Sequence, residues 1–322
     1  QVNATMSAVR VYRAVGLVDE AADELRSTLA LPVSRGARAT LVLESAQLAA
    51  SRGEFDAALT LADEAIERFG AMGSRLGIVQ ASLVAAAVLN DLGRPDDAVL
   101  RAHVAMRHSR LADLPPMDAL LALGTYQRAA GLPLDAAHTF EDLAEVEQQA
   151  GVEAQSVART YLLLASSARE GSDLNRAYAA LGAGLALAEQ AEDADLAAEA
   201  RHQRGELLAM AGDEEGLADL DAAEAHARSI GVPAFLSLVL ASRGRARLMF
   251  GDAEGTADFD EAITIARNEG EELHALSVTD DLARALVAVG RLDAGVSLLL
   301  EVADGYAAEE FDVDVSGDRE AA

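Results

Sequence analysis

The chain has no cysteine, no tryptophan and no lysine; all 26 of its basic residues are arginine. The absence of cysteine excludes disulfides, zinc-thiolate centres and cysteine nucleophiles together, and suits a reducing compartment such as the cytoplasm. Writing every basic residue as Arg points to a GC-rich coding sequence of bacterial type. No stretch approaches the about 18 unbroken apolar residues of a membrane span. The start, Gln1-Val2-Asn3-Ala4-Thr5, has no basic segment followed by an apolar one, so no signal peptide is expected. It begins on Gln rather than Met, the start expected of a processed product or a piece of something longer.

What remains is a helix-former's alphabet. Half of the 322 residues are apolar but only 4% are aromatic, and much of the apolar total is Ala and Leu. There are 54 acidic residues and a net charge of −28. A surface this acidic repels nucleic acid and anionic lipid headgroups and favours basic or apolar partners.

The dominant feature is periodic. Gly16, Gly53, Gly93, Gly131, Gly171, Gly212, Gly251 and Gly290 follow one another at gaps of 37, 40, 38, 40, 41, 39 and 39 residues. Each is followed by an acidic or Pro-containing turn and a new helical stripe. A second series falls between them: Gly36, Gly73, Asp113 with Pro115 and Pro116, Gly151, Asp193, Gly231 and Gly270. Two interleaved series of one period mean two helices per repeat. Between the marks, apolar residues recur at helical spacing, as in Phe55, Ala58, Leu59, Ala62, Ala65, Ile66 and Phe69. Strand-like alternation is absent. The prolines agree with this register: Pro95 and Pro133 are placed in first turns, and Pro32, Pro115, Pro116 and Pro233 in connections.

These residues resemble the tetratricopeptide repeat, a pair of antiparallel helices with a small residue in the first helix, a turn Gly, and Ala then a larger residue in the second. The small position, seven residues before the turn Gly, reads Ala46, Ala86, Gly124, Gly205, Gly244 and Ala283. The second-helix Ala reads Ala21, Ala58, Ala98 and Ala136, and one residue later Ala177, Ala218 and Ala257. The fourth repeat matches best, with Leu123-Gly124 and then Ala136 and Phe140. The family's early Trp is missing, its first-helix Tyr is replaced by residues such as Leu89 and Gln127, and its usual period of about 34 is exceeded. Longer repeats of this kind resemble those of bacterial regulators and multi-domain signalling proteins. The resemblance implies an all-α, right-handed α-solenoid of about eight antiparallel helix-turn-helix repeats. Their expected bounds are 1–35, 36–72, 73–113, 114–151, 152–193, 194–231, 232–270 and 271–308, with an acidic flexible tail over 309–322.

Catalytic signatures are missing: there is no phosphate loop, no G-x-S-x-G elbow and no H-E-x-x-H. Gly182-Ala183-Gly184 lies within a predicted helix, without a preceding strand, and reads as close helix packing. Glu199, His202 and Glu206 share a helical face at a spacing that can offer a metal an imidazole and two carboxylates. Arg201 and Arg204 beside them favour ordinary ion pairing instead. No cofactor or metal is expected, and no enzyme.

In this repeat class the first helices line the concave face, which identifies the candidate binding residues. Leu83, Leu121 and Thr125 give an apolar or small stretch in the third and fourth repeats. His202, Gln203, Arg204, Ser242, Arg245, Asp281 and Arg284 give a charged one in the sixth to eighth. One reading has Arg245 and Arg284, with Arg204 nearby, holding a carboxylate or an acidic peptide. The other is a ladder of ion pairs from Glu206 to Arg245 to Asp280 and Arg284. The chaperone-binding subset, which clamps a terminal carboxylate with Lys and Asn, is excluded, because the matching positions carry Leu43, Gln47 and Leu83. The expected function is a non-catalytic scaffold binding a protein or peptide in its groove, without direct contact with nucleic acid or membrane. The alternative is the sensory or regulatory array of a larger signalling protein, a transcriptional regulator or a CHAT caspase-like protease, whose effector domain lies outside this chain.

Overall fold

In the computed structural model of the chain, residues 2–320 are described, apart from the side chains of Val2, Asn3, Arg10, Ala14 and 309–320. Among the described residues there is no strand. The helices run in pairs: α1 (Val2–Ala14) and α2 (Val18–Leu29), α3 (Arg35–Ser51) and α4 (Phe55–Ala71), α5 (Arg75–Asp91) and α6 (Pro95–Leu111), α7 (Met117–Ala129) and α8 (Pro133–Gln149). There follow α9 (Ala154–Glu170) and α10 (Leu174–Gln190), α11 (Ala194–Met210) and α12 (Glu215–Ile230), α13 (Pro233–Met249) and α14 (Gly255–Asn268), and α15 (Glu272–Ala288) and α16 (Leu292–Glu320). This is the all-α solenoid of tetratricopeptide-like repeats that the resemblance implies.

The chain falls into two compact units. One takes the residues up to Val152 with Leu163–Ala177; the other takes Glu153–Leu162 and the residues from Tyr178 onward. Within each, a helix packs on its successor and each first helix also packs on the next first helix, as α3 does on α5 and α13 on α15. In the first unit the alanines Ala58, Ala62 and Ala65 of α4 are fully buried and let α3 and α5 approach from either side. In the second, Phe259 is the fully buried anchor between α13, α14 and α15.

The turn register explains why some alanines fall one residue late. In the fifth repeat the left-handed residue is Ser172 (φ +63°), not Gly171. Ser172 N–H donates to the Arg169 carbonyl as Gly53 N–H does to that of Ala50. Counted from Ser172, the fully buried Ala177 lies five residues on, as Ala58 does from Gly53. Gly171 serves a different need, since a Cβ there would lie 2.5 Å from the Leu134 side chain. Likewise Glu192 (φ +56°) occupies the left-handed position assigned to Asp193, and Asp193 caps α11 by accepting from Leu196 N–H at 3.0 Å.

In the sixth and seventh repeats the expectation for Ala218 and Ala257 is corrected, because both are exposed. The close contacts are made by glycine pairs. A Cβ on Gly205 would sit 2.8 Å from the Gly216 carbonyl oxygen, and one on Gly244 would sit 2.6 Å from that of Gly255. Here the helices approach backbone to backbone, which Ala does not permit. Pro233 is likewise not in a connection but at the start of α13, where its missing N–H costs nothing. The last helix, α16, runs through most of the segment expected as a tail.

Candidate functional site

The first helices α11, α13 and α15 bring two ranks of side chains into line one repeat apart. Glu206, Arg245 and Arg284 stand six residues before their turn glycines, and Gln203, Ser242 and Asp281 stand nine before. Because α13 packs on both α11 and α15, the ranks join into a chain of polar contacts. His202 Nε2 lies 2.9 Å from Ser242 Oγ, and Ser242 Oγ donates to Glu206 Oε1 at 2.7 Å. Glu206 is 3.6 Å from the Arg245 guanidinium, which donates to Asp281 Oδ2 at 2.9 Å. The chain stops there: Arg284 donates to Asp280 of its own helix at 2.6 Å and leaves 71% of its side chain exposed, against 35% for Arg245. Arg245 thus meets Asp281 rather than Asp280. Gln203 donates to Glu199 at 3.3 Å.

Arg204, expected beside these, turns to the second helix of its own repeat and grips Asp219 with two bonds of 2.6 and 2.8 Å. Position 204 is two residues from 206, or about 200° around a helix, so the two side chains leave opposite faces. One period later the arrangement recurs. Arg243, 8% exposed, donates to both oxygens of Asp258 at 3.0 and 2.8 Å and to Asp221 at 3.1 Å. Glu224 lies 3.3 Å away, and Arg247 also reaches Asp258 at 2.9 Å. Burial pulls the Arg243 pKa down, but bonds to Asp258 and the charges of Asp258, Glu224 and Asp221 carry it above its ordinary value. This buried ionic joint between α13 and α14 is the strongest polar feature that sequence reasoning missed. Its signal was the recurrence of Arg204 with Asp219 as Arg243 with Asp258 at a 39-residue interval.

Ser242, His202 and Glu206 are a hydroxyl, an imidazole and a carboxylate within bonding distance, which invites comparison with a nucleophile and its base. The proton directions oppose it. Ser242 has one hydroxyl proton and gives it to Glu206, so His202 Nε2 must donate to Ser242 rather than accept from it. Ser242 is also buried, at 4% exposure. The metal reading of Glu199, His202 and Glu206 meets the same geometry, and among the described residues no cluster of His, Asp or Glu is arranged to hold a metal ion. Gly184 lies mid-helix in α10, where a Cβ would stand 3.3 Å from Tyr161 of α9, a packing contact.

At the N-terminal ends of α9 and α11 a cleft of about 800 Å³ is lined by Glu153, Gln155, Arg159, Asp193, Asp195 and Glu199. The Leu196 N–H and the Gln155 amide hold the Asp193 carboxyl below its ordinary range. The cleft wall desolvates Glu199 and pushes its carboxyl up, although the side chain reaches solvent.

The first unit carries the apolar candidates. Leu83 is half-buried against Val79, Ala105 and Ala119, Leu121 is 44% exposed, and Thr125 donates to the Leu121 carbonyl at 2.8 Å. These three side chains are apolar or small, whereas those of the ranks in the second unit are polar.

No family model and no curated protein matches the chain. Solved structures do. A signal-transduction ATPase with a tetratricopeptide repeat sensor from Pyrococcus horikoshii superposes with a TM-score of 0.69 at 12% identity over 81% of this chain. The quorum sensor NprR from B. thuringiensis, in its apo form, gives 0.62 at 13% identity, covering 95% of this chain and 87% of its own. A Rap protein complexed with Competence and Sporulation Factor gives 0.52 at 11% identity, covering 95% and 85%. At these identities the likeness establishes the fold, which is that of tetratricopeptide-like repeat proteins. This chain spans only 41% of the length of the Pyrococcus horikoshii ATPase.

Proposed function

We propose that the chain is a non-catalytic scaffold that receives a protein or peptide on the exposed face of its first helices. The observation that carries this reading is the pair of ranks on α11, α13 and α15, which present Gln203, Glu206, Arg245, Asp281 and Arg284 at one-repeat intervals without assembling a reacting centre. Adjacent helices pack about 8–10 Å apart, so an extended peptide at about 3.3 Å per residue meets a new rung about every two to three residues. Arg284 is the prime contact, because its own side chain is 71% exposed and its hydrogen-bonded partner, Asp280, is an i,i+4 neighbour on the same helix, and such pairs hold weakly. Arg245, between Glu206 and Asp281, sets the register. His202 and Ser242 position Glu206 from beneath, and Arg204 serves the repeat's own stability. Leu83, Leu121 and Thr125 offer a separate apolar surface in the first unit.

The Rap and NprR structures support this use of the fold, one solved with the factor it binds and the other described as a quorum sensor. The acidic surface disfavours nucleic acid and anionic membranes, and no described helix is long and apolar enough to cross a bilayer. With no cysteine to protect, a cytoplasmic, bacterial setting fits.

A second reading, the sensory array of a larger signalling protein, rests on the Pyrococcus horikoshii ATPase, whose repeats are described as its sensor.

Panning a displayed peptide library against the purified chain tests the proposal. Peptides that bind the wild type and lose at least tenfold affinity to Arg284→Ala, with its melting curve unchanged, are the expected result. A library that yields no binders, or binders indifferent to Arg245→Ala and Arg284→Ala alike, would contradict it.

A further inference from the structure

Beside the charged rank on α11 and α13 runs an apolar rail that the polar contacts leave unused. Met210 and Met249 stand two residues before their turn glycines, each four residues beyond its rank residue, Glu206 or Arg245. Residues four apart share a helix face, so the rail lies on the same face as the rank, about 6 Å further along the helices. Met210 is 57% exposed and Met249 44%. The position does not demand an apolar side chain. Its equivalents in the other repeats, counted from the left-handed turn residue, are Ser51, Asp91, Ala129, Glu170 and Ala288, all polar or small. Folding gains little from either methionine, whereas a partner that covers them gains their apolar area, and the flexible thioether adapts to what it meets.

Across the three first helices the face is graded. On α15 the rail gives way to Ala288, but the Arg284 side chain is 71% exposed. On α13 the rank residue Arg245 is shared by Glu206 and Asp281, while Met249 lies open. On α11 the rank residue is itself an acid, Glu206, one turn from Met210. Because α13 packs on both α15 and α11, a chain crossing all three meets an exposed cation and then two apolar side chains.

We infer, resting on the reading of the first-helix face as the binding surface, that its occupant is a peptide with an acidic residue near one end and bulky apolar residues beyond it. The acid sits on Arg284 and the apolar side chains on Met249 and then Met210. The helix spacing sets the interval between these anchors at about two to three residues of extended chain. The acid belongs at the α15 end, because over α11 it would meet Glu206 and over α13 an arginine already shared by two carboxylates.

Three displayed peptide libraries panned against the full chain test this. One carries Asp or Glu near one end and Leu, Ile or Phe at the next two anchor intervals. Another keeps the acid and replaces the apolar residues by Ser or Thr, and the last keeps the apolar residues and replaces the acid. The first should be enriched over both others. Its binders should weaken at least tenfold against Arg284→Ala, and at least tenfold against Met210→Gln combined with Met249→Gln. Leu238→Gln is the control: Leu238 is 46% exposed on the same face of α13 but about 16 Å from Met249 along the helix, so affinity should not change. All these positions are exposed, so the variants are expected to keep the wild-type melting curve. Binders that lose affinity to Arg284→Ala but ignore the methionine pair overturn the inference and leave the scaffold reading standing, as does equal enrichment of either single-feature library. An equal loss at Leu238 marks general adhesion to apolar surface and overturns it too. If no library yields a binder, both readings fall.

Discussion

Alanine at Gly182 and at Gly244 should move stability in opposite directions. Both glycines lie inside helices, α10 and α13, so each substitution gains the same helix propensity, about 1 kcal/mol. Around Gly182 an added Cβ meets no heavy atom within 4 Å. Around Gly244 it would lie 2.6 Å from the Gly255 carbonyl oxygen and 2.8 Å from the Phe259 ring. Phe259 is fully buried and has nowhere to turn, and the carbonyl belongs to the α14 backbone, so the helices must separate. Overpacking of this kind costs about 1–3 kcal/mol, and backbone displacement puts it near the top of that range. The net expectation is a gain of about 1 kcal/mol for Gly182→Ala and a loss of about 2 kcal/mol for Gly244→Ala. Urea unfolding followed by circular dichroism reads this as midpoints shifted in opposite senses; midpoints suit a repeat array better than extrapolated free energies. A Gly244→Ala midpoint at or above that of the wild type would refute the backbone contact between α13 and α14.

Arg243→Met should cost about 3 kcal/mol by removing the buried cation shared by Asp258 and Glu224, the lower part of the range for a broken buried pair because Arg247 remains on Asp258 and Arg228 on Glu224; a loss under about 1 kcal/mol in the same urea assay would count against a buried joint. Glu192→Gly should raise stability by about 1 kcal/mol, since a side chain is now held at φ +56°, and an unchanged melting temperature would deny that strain. Asp193→Ala should lose about 1 kcal/mol with the α11 cap. The pH dependence follows from the lowered Asp193 pKa: the folded chain binds that proton less readily than the unfolded one, so the stabilisation is complete above about pH 4 and fades as pH falls through the lower folded value. The gap between wild type and Asp193→Ala should therefore shrink in acid, and a gap that widens would reverse the assignment.

The repeat was legible because a left-handed turn residue strongly favours glycine, and such turns recur at every repeat. Another residue takes that conformation at Asp113, Ser172 and Glu192; the mark at Asp113 holds, but the register read from Gly171 and Asp193 slips by one. Ala218 and Ala257 misled for a related reason: alanine marked the second-helix contact in the early repeats, but Gly216 and Gly255 make it in the sixth and seventh. In the site, the step from Glu206 to Arg245 could be read directly, because equivalent residues of stacked repeats are neighbours; the continuation was read as Asp280 and Arg284, whereas Arg245 meets Asp281. The destination of Arg204 and Arg243 could not be read by proximity along the chain. It depended on helical phase, which separates them from the Arg245 rank by about half a turn.

Amide hydrogen exchange on the chain with and without a peptide selected by panning tests the scaffold reading most directly. Bound peptide should slow exchange along α11, α13 and α15, and Arg284→Ala should abolish that protection. Protection confined to the second helices α12 and α14, or spread evenly over the chain, would contradict binding on the first-helix face.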